Sequence, residues 1–182
     1  MRLFVAIEIP AEIRARLQML SGGVPGARWV ESESYHLTLR FLGGLDRPSA
    51  EEIDLSLAEL SAPAFTLTLA GIGQFGGGRR VRAIWVGVDA EPALIHLARK
   101  VDRAIVAAGL PPDDRNFTPH VTIARLKDAP MERVMRFVSE NALFRAPAFP
   151  VDRFALFESR QGNDRPVYVK LAEYELGQRA AT

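Results

Sequence analysis

The chain has three histidines, and two of them sit in the same short context. His36-Leu-Thr-Leu39 and His120-Val-Thr-Ile123 both read His, apolar, Thr, apolar. Successive side chains of a strand point to opposite faces. The spacing therefore predicts that His36 and Thr38 share one face while Leu37 and Leu39 anchor the other. It predicts the same for His120 and Thr122 against Val121 and Ile123. An unperturbed imidazole has a pKa of about 6.5, so near neutral pH one copy can be neutral while the other is protonated. A neutral imidazole takes a proton from an attacking oxygen, and a protonated one gives a proton to a leaving oxygen. On opposite sides of a phosphorus, the two would serve an in-line displacement. The hydroxyls of Thr38 and Thr122 would hold the non-bridging oxygens as charge grows there. An arginine follows each motif closely, Arg40 and Arg125, and a guanidinium adds charge-assisted contacts to phosphate.

Parity sorts the neighbours. Arg40 has even parity with His36 and shares its face on a straight strand. Phe41 has odd parity and falls on the core face, and only a bulge would bring it to the histidine side. Arg125 is likewise odd with respect to His120. Phe41, Phe75 and Tyr168 are candidates for stacking on a terminal base, with core packing the reading for Phe41. The third histidine, His96, falls with Lys100 and Arg103 on the polar side of a helix and is read as a solvated surface residue.

Competing chemistries lack their residues. There is no cysteine, which excludes disulfides, thiolate metal sites, iron–sulfur clusters and cysteine nucleophiles. Two histidines fall short of the three protein ligands of a catalytic zinc, and no HExxH accompanies either motif. No metal and no cofactor are expected. The formal net charge is only +1, whereas a protein that tracks long nucleic acid carries a strong positive excess. A local contact with one strand end fits this balance better than a long groove. No apolar run approaches the length of a membrane helix, and the first nine residues do not form a signal sequence, so a cytoplasmic protein with no membrane partner is expected.

The elements that must hold these residues follow from periodicity. Arg2–Ile9 reads as a strand, and a helix on Ile13, Leu17 and Leu20 ends at Ser21-Gly22-Gly23. Trp29-Val30 is extended, and Tyr35–Leu42 is a strand. A second helix on Ile53, Leu57 and Leu60 is predicted to start with a capping box of Ser49 and Glu52. Phe65–Ala70 is a strand, Gly71 to Gly78 a glycine-rich connection, and Val81–Val88 a strand. The Gly76-Gly-Gly-Arg-Arg80 segment reads as a hairpin turn, with Arg79, Arg80 and Arg82 able to reach an RNA backbone. A third helix spans Glu91–Ala108, Val121–Ala124 is a strand, and a fourth helix spans Met131–Asn141. Strands around Phe149–Leu156 and Pro166–Tyr174 complete the chain. Several strands are joined too tightly for helical crossovers, which predicts antiparallel pairing and an α+β fold.

These residues resemble a known family, the two-histidine (2H) phosphoesterases. The likeness is greatest to their RNA 2′,3′-cyclic phosphodiesterase branch, long called 2′-5′ RNA ligase. Both motifs carry it, with Arg2-Leu-Phe-Val-Ala-Ile7, Gly71-Ile-Gly-Gln-Phe75, Arg82-Ala-Ile-Trp85 and Phe154-Ala-Leu-Phe-Glu-Ser159. The resemblance implies one bilobal domain over residues 1–182, each lobe an antiparallel sheet flanked by helices, with the active-site cleft between two pseudo-symmetric halves. It implies metal-independent hydrolysis of RNA 2′,3′-cyclic phosphate ends to 2′-phosphomonoesters, with 2′-5′ ligation as the reverse reaction. His36 is then the general acid on the 3′ oxygen and His120 the general base on water. Thr38, Thr122, Arg40 and Arg125 bind the substrate. The partners are RNA ends or small cyclic nucleotides, and the expected state is a monomer. Two alternatives stay open. One is the same chemistry on another cyclic or 2′-5′ substrate, such as an ADP-ribose cyclic phosphate. The other is a non-catalytic RNA- or nucleotide-binding module.

Overall fold

In the first strand every interior position is covered. Leu3, Val5 and Ile7 enter the main core, while Phe4 and Ala6 join Ala155 and Phe157 in a smaller cluster on the other face. The computed structural model describes residues 1–76 and 80–177. Ten strands and four helices follow one another among these residues. They are β1 (Arg2–Glu8), α1 (Ala11–Gln18), β2 (Ala27–Trp29), β3 (His36–Gly44), α2 (Arg47–Ala58), β4 (Phe65–Leu67) and β5 (Leu69–Phe75). Then come β6 (Ala83–Val88), α3 (Pro92–Ala107), β7 (Val121–Leu126), α4 (Met131–Glu140), β8 (Phe149–Val151), β9 (Arg153–Gln161) and β10 (Pro166–Glu175).

The strands form two four-stranded sheets, ordered β10-β9-β1-β3 and β2-β7-β6-β5, and a two-stranded sheet, β4-β8. All named pairings are antiparallel. The two motifs thus belong to different four-stranded sheets: the first opens β3, and in the second His120 immediately precedes β7. The fold is α+β, as the tight strand connections require. Among the described residues no helix is long and apolar enough to cross a membrane.

Three local expectations are corrected. The cap of α2 is Asp46, whose carboxylate accepts from the Ser49 backbone N–H at 2.9 Å. Ser49 lies one turn inside, because Pro48 occupies the first turn, where a missing N–H costs little. The run Phe65–Ala70 is two strands in two sheets: β4 pairs with β8 and β5 with β6. The glycine-rich stretch is largely strand, since β5 continues to Phe75. A register shift between Leu69 and Ile72 absorbs Gly71, whose φ of 77° lies in the left-handed region that suits glycine.

Candidate active site

A bulge interrupts each motif strand at the same place. On β3, Val5 opposes Arg40 and Ala6 opposes Thr38, so Leu39 is an extra residue. On β7, Ile84 opposes Ala124 and Trp85 opposes Thr122, so Ile123 is extra. Before the bulge the strands alternate as their spacing predicts. His36 and Thr38 are half-buried while Leu37 is buried, and Thr122 is half-buried between buried Val121 and Ile123. A bulge inverts the alternation beyond it. Phe41 and Arg125 therefore join the histidine face. Phe41 is 52% exposed, and both residues line one cleft with His36, His120, Thr38 and Thr122. Phe41 is thus not a core residue, and Arg125 reaches the cleft despite its odd parity.

The same inversion buries Arg40 in the cleft wall. Its side chain is 7% exposed. It pairs with Asp102 of α3, lies 3.8 Å from Asp113, and donates from Nη2 to the Pro111 carbonyl at 2.6 Å. Arg40 nevertheless lines the same cleft as the two histidines, with its guanidinium shared among these protein acceptors. It ties the first motif strand to α3 and to the loop that leads to His120.

Both imidazoles are tethered alike. His36 Nδ1 lies 2.8 Å from the Ser34 carbonyl, and His120 Nδ1 lies 2.6 Å from the Thr118 carbonyl. A carbonyl only accepts, so Nδ1 carries the proton and donates. Nε2 is left for a ligand, and no group among the described residues bonds it. Each ring also has an aromatic neighbour edge-on and another tilted. Tyr168 stands at 83° to His36 with centroids 5.0 Å apart, and Phe75 at 85° to His120 with centroids 4.7 Å apart. Phe4 tilts against His36 at 4.8 Å and Trp85 against His120 at 5.9 Å.

Sequence reasoning missed Phe4 and Trp85 as supports of the site. A signal for Trp85 exists in Gly73, since a Cβ there would overlap the Trp85 ring. Phe75 and Tyr168 line the cleft as candidates for base contact. His96 is exposed on α3 and lies outside the cleft lining. Arg80 and Arg82 are exposed and do not line the cleft either, and Arg79 lies outside the described residues.

The aromatic surroundings set the electrostatics. Burial pushes the His36 pKa down to about 4. The bond to Ser34 works against this, while the charges of Arg125 and His120 work with it. Burial also lowers the His120 pKa, opposed by the bond to Thr118 and assisted by Arg125. At neutral pH both rings of the free protein are therefore mostly unprotonated. Each can accept a proton, and each becomes a donor when an anion arrives beside it.

Comparison with known proteins gives the chain a family. A family model described as the 2′-5′ RNA ligase superfamily matches residues 4–163. The chain is 33% identical over 162 residues to the RNA 2′,3′-cyclic phosphodiesterase of Aeropyrum pernix, spanning 88% of this chain and 92% of that one. It is 32% identical over 185 residues to the protein of the same name from Escherichia coli, spanning 97% of each. Among solved structures, E. coli LigT in apo form is similar with a TM-score of 0.79 at 30% identity. That match covers 97% of this chain and 98% of LigT.

Proposed function

The chain belongs to the 2′-5′ RNA ligase superfamily, and we propose that its cleft hydrolyses the 2′,3′-cyclic phosphate at an RNA end to a 2′-phosphomonoester. One observation carries the reading. Two imidazoles, each with Nδ1 held by a backbone carbonyl and Nε2 unbonded, line one cleft beside two threonines.

The reaction runs as an in-line displacement. Water attacks phosphorus while His120 Nε2 takes its proton. The bond from phosphorus to the 3′ oxygen breaks, and His36 Nε2 gives that oxygen a proton. The products are a 2′-phosphate and a free 3′ hydroxyl. Thr38 and Thr122 donate to the non-bridging oxygens, and Arg125 offsets their growing charge. His36 must hold a proton to act as acid, and a burial-lowered pKa of about 4 opposes this in the empty cleft. The cyclic phosphate is itself an anion, and its arrival favours the protonated ring. With the 5′ hydroxyl of another strand in the place of water, the same displacement on the cyclic phosphate would form a 2′-5′ bond as the 3′ oxygen leaves. The reaction uses no metal and no cofactor. One chain supplies both motifs, so a monomer suffices, and RNA as substrate places the work in the cytoplasm.

The test is turnover of 2′,3′-cyclic AMP with product analysis by phosphorus NMR. The expected product is 2′-AMP, and 3′-AMP would reverse the leaving-group assignment. His36→Ala and His120→Ala should each lose about 10²–10⁴-fold in rate. Wild-type rates in either variant would sink the acid–base reading, and loss of activity in EDTA would sink the metal-free one.

A further inference from the structure

The cleft is larger than a cyclic phosphate needs. It encloses about 800 Å³, toward the upper end of small-molecule sites. Its lining holds five arginines, Arg40, Arg99, Arg103, Arg115 and Arg125, against two aspartates, Asp102 and Asp113. Asp102 is taken by Arg40, and Asp113 by Arg115 at 3.1 Å. Arg125 stands by the second motif. That leaves Arg99 and Arg103 on α3, both exposed and without a carboxylate partner among the described residues.

Both arise from one helix. Arg99 and Arg103 are four residues apart and so neighbour each other on the helix surface. Asp102, on the same helix, is bound by the buried Arg40 of the first motif strand. That ion pair ties α3 to β3, so the helix that carries Arg99 and Arg103 lines the same cleft as His36 and Phe41. Like charges at this spacing repel, and no carboxylate among the described residues pairs with either. A cleft wall of one sign focuses its field on an incoming anion, and the arginine fork matches phosphate oxygens. The whole chain carries a formal charge of only +1, so this excess belongs to the cleft. Phe41 is exposed at the same wall, with the Arg115 guanidinium 6.0 Å from its ring centroid, which offers a stacking surface for a base.

We propose that α3 provides a second phosphate subsite, in which Arg99 and Arg103 hold the phosphodiester adjoining the cyclic end while Phe41 takes the terminal base. This rests on the cyclic-phosphate reading of the cleft and narrows it. The substrate is an oligonucleotide end, because a mononucleotide has no adjoining phosphodiester.

The experiment compares kcat/KM for 2′,3′-cyclic AMP with that for a diadenylate ending in a 2′,3′-cyclic phosphate. Wild type and the double variant Arg99→Ala/Arg103→Ala are measured at several salt concentrations. Wild type should prefer the dinucleotide. In the double variant that preference should shrink by about tenfold or more, and the salt dependence of dinucleotide turnover should flatten. Arg99→Lys/Arg103→Lys, which keeps charge without the fork, should fall between the two. An unchanged preference in the alanine variant would overturn the subsite, as would equal losses on both substrates or no preference in wild type. If wild type hydrolyses neither substrate, the cyclic-phosphate reading itself falls and the subsite with it.

Discussion

Phe41 and Arg125 are counterparts: each is the fifth residue after a motif histidine, and each is turned into the cleft by a bulge in its own strand. Their cross-strand partners differ in size. Phe41 lies opposite Phe4, and Arg125 lies opposite Ala83. Phe4 supports the Phe41 ring, whereas Arg125 lies between Ala83 on one side and Arg28 on the other. Two like bulges, one on an edge strand and one on an interior strand, thus carry unlike side chains, one suited to a base and the other to a phosphate.

This division separates the kinetic effects of the two residues. Arg125→Ala should lower kcat by about 100-fold, as for loss of one charge-stabilising donor, with a small change in KM. Phe41→Ala should raise KM by about tenfold, within the range for loss of one base–aromatic stack, with kcat little altered. Steady-state kinetics on a cyclic-phosphate dinucleotide decides it. The opposite split would contradict the assignment.

His36 should titrate near 4 in the free protein and move upward when inorganic phosphate or 2′-AMP binds. Imidazole chemical shifts followed by NMR across pH 3–8 would show both values. The sign carries into the kinetics. The profile of kcat/KM reports the free protein and should peak on the acid side of neutrality. That of kcat reports the complex and should peak at higher pH. Coincident profiles would contradict a substrate-raised acid.

The same depressed pKa makes stability depend on pH. Between about 6.5 and about 4 the unfolded chain binds a proton that folded His36 refuses. The stabilisation is complete above this window and is lost as pH falls through it. Because the ring is only half-buried, the loss should be roughly 1–2 kcal/mol, below the full linkage value. Urea denaturation at pH 7 and pH 4 measures it. His36→Asn should flatten the slope, and an unchanged slope would place the effect elsewhere.

Gly73→Ala should impair catalysis without touching a substrate. A methyl there would collide with the Trp85 ring, which packs against both Phe75 and His120. The expected result is a shifted tryptophan emission together with at least a tenfold fall in kcat. A normal spectrum with normal kcat would mean that Trp85 does not hold His120 in place.

Arg40→Ala should destabilise the fold by about 2–3 kcal/mol. It leaves the Pro111 carbonyl without its donor and Asp102 without its cation, while Asp113 keeps Arg115. The urea midpoint should drop with the slope unchanged, and Arg40→Lys should recover part of the loss. A midpoint equal to wild type would show that Asp102 finds another partner.

The sequence carried the chemistry further than the geometry. The two motifs, the four helices and the exclusion of His96 were all legible, because each depends on spacing within one element. Arg40, Phe41 and Arg125 were not, since strict alternation fails beyond a bulge and no residue type in Leu39 or Ile123 announces one. The run Phe65–Ala70 looked continuous because pairing partners, not local pattern, split it between two sheets. The partners of Arg40 lie far along the chain at Asp102 and Asp113, beyond the reach of any local rule.

The histidine tethers have one more consequence. Ser34 and Thr118 hold the rings through peptide oxygens, where many acid–base pairs use a carboxylate. A peptide oxygen cannot ionise, so the tautomer of each ring stays constant over the whole working range. It also lends no negative charge, so each imidazolium remains a strong acid. The pH behaviour of this cleft should therefore reduce to two titrating groups, with no buried third partner to complicate the curve.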